Sequence, residues 1–326
     1  MNPSHQHALK VVAKTSATIA LVSTTLSTHA EPVSQLTPAG WLPHFESMIA
    51  LAIVVTAALI ATLLNHPQPK TRAAGTVLAA LSCFGLVAWF VAALSTGVIA
   101  EPKAFQVPMD GAKPALLWIQ IVLAFAGGVA LLFTVKQQLK TSSELKLSHA
   151  NEAERYGRTS RILHWTTAIL FIFMIPTGIF SSMIPEDAWF RTEYNVVHKT
   201  IGFILFALVV VRLIWNRRSK RPRLSKALKP SERTLAHIAH IMLYGLMLAL
   251  PITGYLMTSF HGYSSYFFFI EMEPFLPESK AYIVWGLFHK YLLQYVIYIV
   301  LGSHILGSLK HHFVDKHKDA LGRMVS

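Results

Sequence analysis

Apolar residues run through this chain in seven long blocks, near 44–64, 74–99, 115–135, 162–182, 198–215, 236–259 and 284–309. Each is roughly twenty residues long, the length at which an α-helix crosses the hydrocarbon core of a bilayer. A lipid-spanning strand needs only about ten residues, so the blocks predict helices. Proline, glycine or charge bounds each one: Pro67 and Pro69, Pro102, Pro108, Pro114, Pro185, Pro222 and Pro230, then Pro274 and Pro277. Pro176 and Pro251 fall inside blocks and predict kinks, because proline removes a backbone donor and clashes with the preceding turn. Ahead of these blocks, Lys10 and Lys14 precede a mildly apolar run. Thr28–His29–Ala30 then resembles a small-residue cleavage site, so residues 1–30 read as a signal peptide. The expected fold class is an all-α membrane protein with seven transmembrane helices in the mature chain.

Composition agrees with the pattern. Hydrophobic residues make up 53% of the 326 and charged residues only 14%, against about 25% charged in soluble domains. An α/β enzyme, a β-barrel and a disordered chain are all excluded. The lone cysteine, Cys83, rules out an intramolecular disulfide, a CxxC metal knuckle and a CxxCH covalent haem site.

A net charge of +13 would suggest nucleic acid in a soluble protein. Here its distribution gives another account. Connections 65–72, 136–161 and 216–233 and the tail 310–326 carry 20 Lys and Arg; the alternate connections 100–114, 183–197 and 260–283 carry 4. Basic loops stay cytoplasmic, so this alternation sets the topology in a bacterial inner membrane, with the C-terminus cytoplasmic. Nucleic acid is not needed as a partner. Membrane lipid is the expected surroundings, with anionic lipid a natural contact of the run Arg217 to Lys229.

The polar stretch Lys136 to Arg161 divides the chain. Residues 31–140 form an N-terminal three-helix region almost free of intramembrane ionisable groups. Residues 141–326 form a four-helix unit rich in histidine. The chain has sixteen histidines, and ionisable residues inside a membrane are costly and mark function. His164 opens its helix at the inner side and His198 opens the next at the outer side. His289 and His304 share the last helix, fifteen residues apart, which is four turns plus about 60° and a rise of about 22 Å. Two histidines therefore sit at each depth, His198 with His289 and His164 with His304. Imidazole is an axial ligand of haem iron, and facing helices of a bundle can hold a cofactor between them. Without attachment cysteines such haems are b-type. Zinc is the competing reading, though each depth offers two histidines and no nearby carboxylate.

His237 and His240, three apart on one helix face, suit a haem propionate, a quinone pocket, ligation or a plain interfacial position. Lys199 and Lys290 each follow a candidate ligand on the outer side, against the charge trend. They can meet propionates, steer a small anion or snorkel to the interface. Arg161 and Arg158 precede His164 and can fork onto inner propionates. Arg212, inside an apolar run, snorkels or meets an inner carboxylate. Gly178, Gly202 and Gly254 allow close approach of a flat group or a helix. Tyr263 to Phe269 read as an aromatic interfacial lid.

Several spaced motifs then occur in a recognisable order. They are Arg161–Ile162–Leu163–His164–Trp165, Val197–His198–Lys199–Thr200–Ile201–Gly202 and Val211–Arg212–Leu213. Next come Leu235–Ala236–His237–Ile238–Ala239–His240 with Tyr244, and Leu250–Pro251–Ile252–Thr253–Gly254. Phe288–His289, His304, His311–His312–Phe313 and Leu321–Gly322–Arg323–Met324 complete the set. With these motifs, residues 155–326 resemble the bacterial di-haem cytochrome b561 family. The resemblance implies a four-helix bundle holding two haem b groups on His164, His198, His289 and His304. It also implies electron transfer between the quinone pool and a periplasmic partner, one branch of the family oxidising superoxide. Two departures stand out. The family's last-helix spacing is fourteen, so the extra residue here turns a ligand by about 100° unless the helix adjusts, for instance by a π-bulge. The helices at 44–135 also have no counterpart in the family. They read as a surface for a partner subunit or a shield for the bundle. The alternative function is accordingly a cytochrome b subunit anchoring a respiratory dehydrogenase, hydrogenase or oxidase.

Overall fold

The computed structural model of the chain describes residues 45–95, 113–140, 148–185, 188, 190–220, 222, 228–316 and 323–324. The expected signal peptide, His44 and His317, and the Arg221, Arg223 and Lys226 part of the basic run lie outside the described residues.

Seven helices are long and apolar enough to cross a membrane. They are α1 (Phe45–Leu64), α2 (Pro69–Ser95), α3 (Lys113–Lys140), α4 (Arg158–Ser181), α5 (Arg191–Arg218) and α6 (Pro230–Phe260), then α7 (Ala281–Val314). A two-stranded antiparallel hairpin, β1 (Ser265–Phe267) with β2 (Ile270–Met272), joins α6 to α7. The fold is the all-α membrane bundle that the apolar blocks predict.

The helices outrun the apolar blocks mostly at polar ends. Apolar composition marks the stretch facing hydrocarbon, whereas hydrogen bonding carries a helix on into the interface. α6 shows how such an extension is held. Pro230 occupies its first turn, where the missing donor costs nothing, and Glu232 Oε2 accepts from the Lys229 amide at 3.0 Å. At the other end of the chain, Lys310 bonds both Glu232 (3.3 Å) and Asp315 (2.7 Å), tying α6 to α7.

One core joins α1 to the histidine-rich helices. Ala50 and Ala57 of α1 are buried with Leu170, Ile201, Leu205, Val209 and Ile297. Small residues let α1 lie close against α4 and α5. A second cluster packs Phe90 of α2 and Leu117 and Ile121 of α3 against Ile179, Phe180 and Met183 at the end of α4. Polar contacts reinforce this. Gln120 Nε2 donates to the Tyr298 hydroxyl of α7. Lys113 Nζ, almost fully buried, lies 4.3 Å from the ring centre of Tyr291.

Arg161 takes part in the seam between these two sets of helices. It is fully buried, and its Nε donates to Asn65 Oδ1 at 2.7 Å, while Asn65 Nδ2 donates back to Ala61 O of α1. The side chain expected to meet a propionate is thus engaged with α1. Hydrogen bonds to charged groups contribute about 1.5–3 kcal/mol. Asn65→Leu is expected to lower stability by about 2 kcal/mol on that scale, measured as a drop in the thermal midpoint of the detergent-solubilised protein.

Candidate haem and electron-transfer site

α4 and α6 share a local device. Each has a proline inside the helix, closely followed by threonine and glycine: Pro176–Thr177–Gly178 and Pro251–Ile252–Thr253–Gly254. Proline leaves a carbonyl one turn back without its usual donor, and threonine hydroxyls bond back to carbonyls of the same turn. Thr177 Oγ1 donates within range of Phe173 O (3.2 Å) and Met174 O (3.0 Å). Thr253 Oγ1 does the same with Ala249 O (2.7 Å) and Leu250 O (3.0 Å). The glycine of each motif then faces a histidine ring. A Cβ at Gly178 would sit 3.5 Å from His198 Cε1, and one at Gly254 would sit 2.8 Å from His289 Cε1.

Those two histidines meet each other at the hairpin end of the bundle. Their ring centres are 6.4 Å apart with planes at 85°. His289 Nδ1 lies 2.9 Å from Leu250 O, a carbonyl that can only accept a hydrogen bond, so Nδ1 carries the hydrogen and Nε2 holds the lone pair. Nδ1 of His198 is buried and has no hydrogen-bond partner among the described residues. Both sites of the pair were expected from depth matching, and the structure brings them together.

His289 reaches this position through a break in helix regularity. α7 changes from α to π geometry at Phe288–Leu292 and returns to α at Leu293. A π turn accommodates one residue more than an α turn. It therefore takes up the extra residue between His289 and His304.

The other pair lies toward the basic end, where the 65–72 and 216–233 connections run. His164 of α4 packs edge-on against Trp165 (5.2 Å between ring centres). His304 of α7 meets the ring of His240 at 5.2 Å and 67°. His304 and His240 both lie within electrostatic reach of His164. Arg212 Nη2 is 2.6 Å from His164 Nδ1, and its guanidinium lies 5.2 Å from the Tyr244 ring centre. A guanidinium only donates, so Nδ1 accepts and the proton sits on Nε2 in this arrangement. Asn216 Nδ2 donates to the Tyr244 hydroxyl at 2.6 Å. His240 is exposed on its helix with its ring against that of His304; His237 is exposed one turn earlier.

The aromatic segment after α6 forms the hairpin, and α5 holds it. Lys199 Nζ donates to Ser264 O at 3.0 Å. Thr200 Oγ1 donates to Tyr266 O (3.3 Å) and accepts from the Phe268 amide (3.0 Å). Phe268 has φ of 56°, a left-handed conformation costly for an aromatic residue, and its ring packs onto the main core. Lys199 is thus a fastener of the lid as well as a cation beside His198.

The donor set at the hairpin end fits haem: two half-buried imidazoles from facing helices, one with its tautomer fixed for coordination, and a glycine cradle against each ring. The basic-end set offers two imidazoles with a guanidinium and a phenol beside them. Sequence reasoning had located the histidines and glycines. It gave no role to Thr177, Thr253 or Asn65, whose roles depend on which carbonyls and which arginine come near. Proline followed by threonine within two residues was the available signal for the first two.

A family model for prokaryotic cytochrome b561 matches residues 155–326, just over half the chain. The chain belongs to the prokaryotic cytochrome b561 family. Among its relatives, cytochrome b561 homolog 2 of Escherichia coli (strain K12) is 30% identical over 55% of this chain and 95% of its own length. Cytochrome b561 homolog 1 of the same organism is 25% identical over 52% and 97%. A probable superoxide oxidase of Yersinia pestis is 26% identical over 50% and 91%. The cytochrome is therefore a multi-pass bacterial inner-membrane protein of b-type haem electron transport. Helices α1 to α3 lie outside the matched segment.

Proposed function

We propose that this cytochrome holds two haem b groups and moves electrons between a partner at the hairpin face and quinone in the membrane. His198 and His289 would hold one haem, His164 and His304 the other. The observation that carries this reading is the His198–His289 pair, half-buried, 6.4 Å apart and backed by two glycines. When bound, haem supplies reversible one-electron chemistry. The protein's own part is to fix imidazoles, exclude water and set local charge. Leu250 O orients His289 by holding its Nδ1 proton. At the basic end, ligation through His164 Nε2 requires its proton to leave and Arg212 to give up Nδ1 for another acceptor. A propionate suits that guanidinium. His240, exposed beside His304, is placed to meet a quinone headgroup. Tenure of two haems is tested by the haem-to-chain ratio and the reduced-minus-oxidised spectrum of protein purified in mild detergent. Two per chain is expected, and a colourless folded protein would sink the reading.

The glycine contacts make a sharper expectation. Gly254→Ala puts a methyl group 2.8 Å from the His289 ring, inside any real contact distance, whereas Gly178→Ala gives an ordinary 3.5 Å contact with His198. The first is expected to reduce bound haem toward one per chain and the second to leave two, measured by the same ratio.

Superoxide is the small anion this face suits, with quinone as the electron acceptor. Lys199 and Lys290, each next to a candidate ligand, would draw it in. Electrostatic guidance raises encounter rates by factors of about ten or more and fades as salt screens it. Lys199→Gln with Lys290→Gln is expected to slow superoxide-driven haem reduction several-fold at low salt and little at high salt, seen by stopped-flow spectroscopy. Unchanged rates at low salt would remove the steering role.

The second reading is a cytochrome b anchor for a respiratory dehydrogenase, hydrogenase or oxidase. It is favoured by α2 and α3, which turn Trp89, Trp118, Phe125 and Phe133 outward, away from the bundle. Co-purification of a large subunit, lost on removal of α1 to α3, would select it. In either case the C-terminus would lie in the cytoplasm, a reading supported by the basic connections.

A further inference from the structure

The seam between α1 and α4 gathers positive charge from two separate segments. Arg72 opens α2, while Arg155 and Arg158 flank the start of α4, beside Arg161 and His66. Arg72 Nη1 donates to His66 O (3.0 Å) and Pro67 O, and Arg161 Nε to Asn65 Oδ1 (2.7 Å), so guanidiniums from two segments meet at residues 65–67, with Arg158 one helical turn before Arg161. Burial, with Arg158 and Arg72 nearby, holds the His66 imidazole below its usual range, so it adds no charge at neutral pH. Among the described residues no carboxylate pairs with Arg72, Arg155 or Arg158, although Glu152 and Glu154 lie in the same loop. Arg158 Nε is buried and has no hydrogen-bond partner among the described residues.

This convergence is rigidly held. The Asn151 side chain accepts from the Gly157 amide (2.9 Å) and from Ser160 Oγ (2.7 Å), closing the loop onto the helix start. Gly157 is packed so tightly against Ala150 O that a Cβ would lie at 2.2 Å. Arg72 Nη1 is fixed on Pro67 O at 2.6 Å. Like charges drawn together at a half-buried seam repel one another, and desolvating them adds to the cost. An anion with several acceptor oxygens offsets both effects.

We infer that the α1–α4 seam binds a phosphate group, supplied by the headgroup of an anionic phospholipid, which fastens helices α1 to α3 to the haem-binding bundle. The seam lies at the basic end, at headgroup depth, where anionic lipid is plentiful. Arg155 and Arg158 supply the forks from one side and Arg72 the charge from the other. The site lies outside the haem pairs and needs no assumption about quinone or superoxide.

The test uses the full-length, haem-loaded protein in neutral detergent, titrated with dioctanoyl phosphatidylglycerol, dioctanoyl phosphatidylcholine or inorganic phosphate, with binding read by native mass spectrometry. Phosphatidylglycerol is expected to bind preferentially, and Arg155→Gln with Arg158→Gln to weaken it about tenfold, the worth of one charge-assisted hydrogen bond. Lys280→Gln, exposed in the hairpin-side connection and far from the basic end, is expected to leave that affinity unchanged. Equal affinity in the wild type and the Arg155/Arg158 variant would overturn the site. Inorganic phosphate binding as tightly as the lipid would overturn lipid as its source. Loss of haem absorbance in that variant would assign the arginines to haem and overturn the inference as well.

Discussion

Replacing His198 by alanine is expected to lower bound haem from two per chain to one while the seven-helix fold survives. The His198 Nδ1 atom is buried and has no hydrogen-bond partner among the described residues. A buried polar atom left without a partner costs about 1–3 kcal/mol, so this side chain is not retained for the stability of the empty bundle. Alanine removes that cost together with the ligand. His289 differs, because Leu250 O holds it, but that carbonyl also accepts from Thr253 and is not stranded when the imidazole goes.

The pairing makes a stronger statement than either substitution. If His198 and His289 serve one haem, His198→Ala and His289→Ala together lose no more than either alone, since groups acting as a unit are non-additive. Combining His198→Ala with His164→Ala should strip both haems. Haem extraction and quantification against chain concentration checks all four variants. Two haems retained in His198→Ala, or both lost in the His198/His289 double variant, would break the assignment of pairs.

How much of this was readable from sequence depends on what each feature rests on. Span number follows from composition, because lipid forces each backbone group to bond within its own helix and leaves the apolar run as a direct trace. The histidine depths follow from counting along those spans. The helix ends were misplaced by several residues where polar turns such as Lys229–Glu232 extend past the hydrocarbon. The division at Lys136 to Arg161 hid the place of α1, whose small residues Ala50 and Ala57 join the main core beside α4 and α5. A run of apolar residues shows that a helix enters the membrane, not which neighbours it meets. Arg161 illustrates the same limit. Its position before His164 suggested a propionate, and only the fold brings Asn65, ninety-six residues earlier, into contact with it. Lys199 read as a cation for propionates, anion steering or the interface, and only the fold shows the hairpin carbonyl of Ser264 holding it.

The one place where a helix rule fails gives the second large effect. Fifteen α-helical residues turn four times plus about 60°, whereas fourteen fall short of four turns by about 40°. The π turn at Phe288–Leu292 absorbs one residue and so restores the fourteen-residue phase to His289 and His304. Deleting Leu292, which is half-exposed and ends that turn, should let α7 run on as a regular α-helix with His289 in place. Two haems per chain and an unreduced thermal midpoint are expected. Tyr291, buried beneath Lys113, keeps its position next to His289 in this deletion. Inserting an alanine after Leu292 does the opposite. A second residue must then be absorbed, or His289 swings by about 100° away from His198 and Gly254. That insertion is expected to cost one haem per chain, leaving the spectrum of the His164–His304 site. The same haem-to-chain ratio reads both variants. Should the deletion lose haem while the insertion keeps it, the π turn would not be what brings His289 into register.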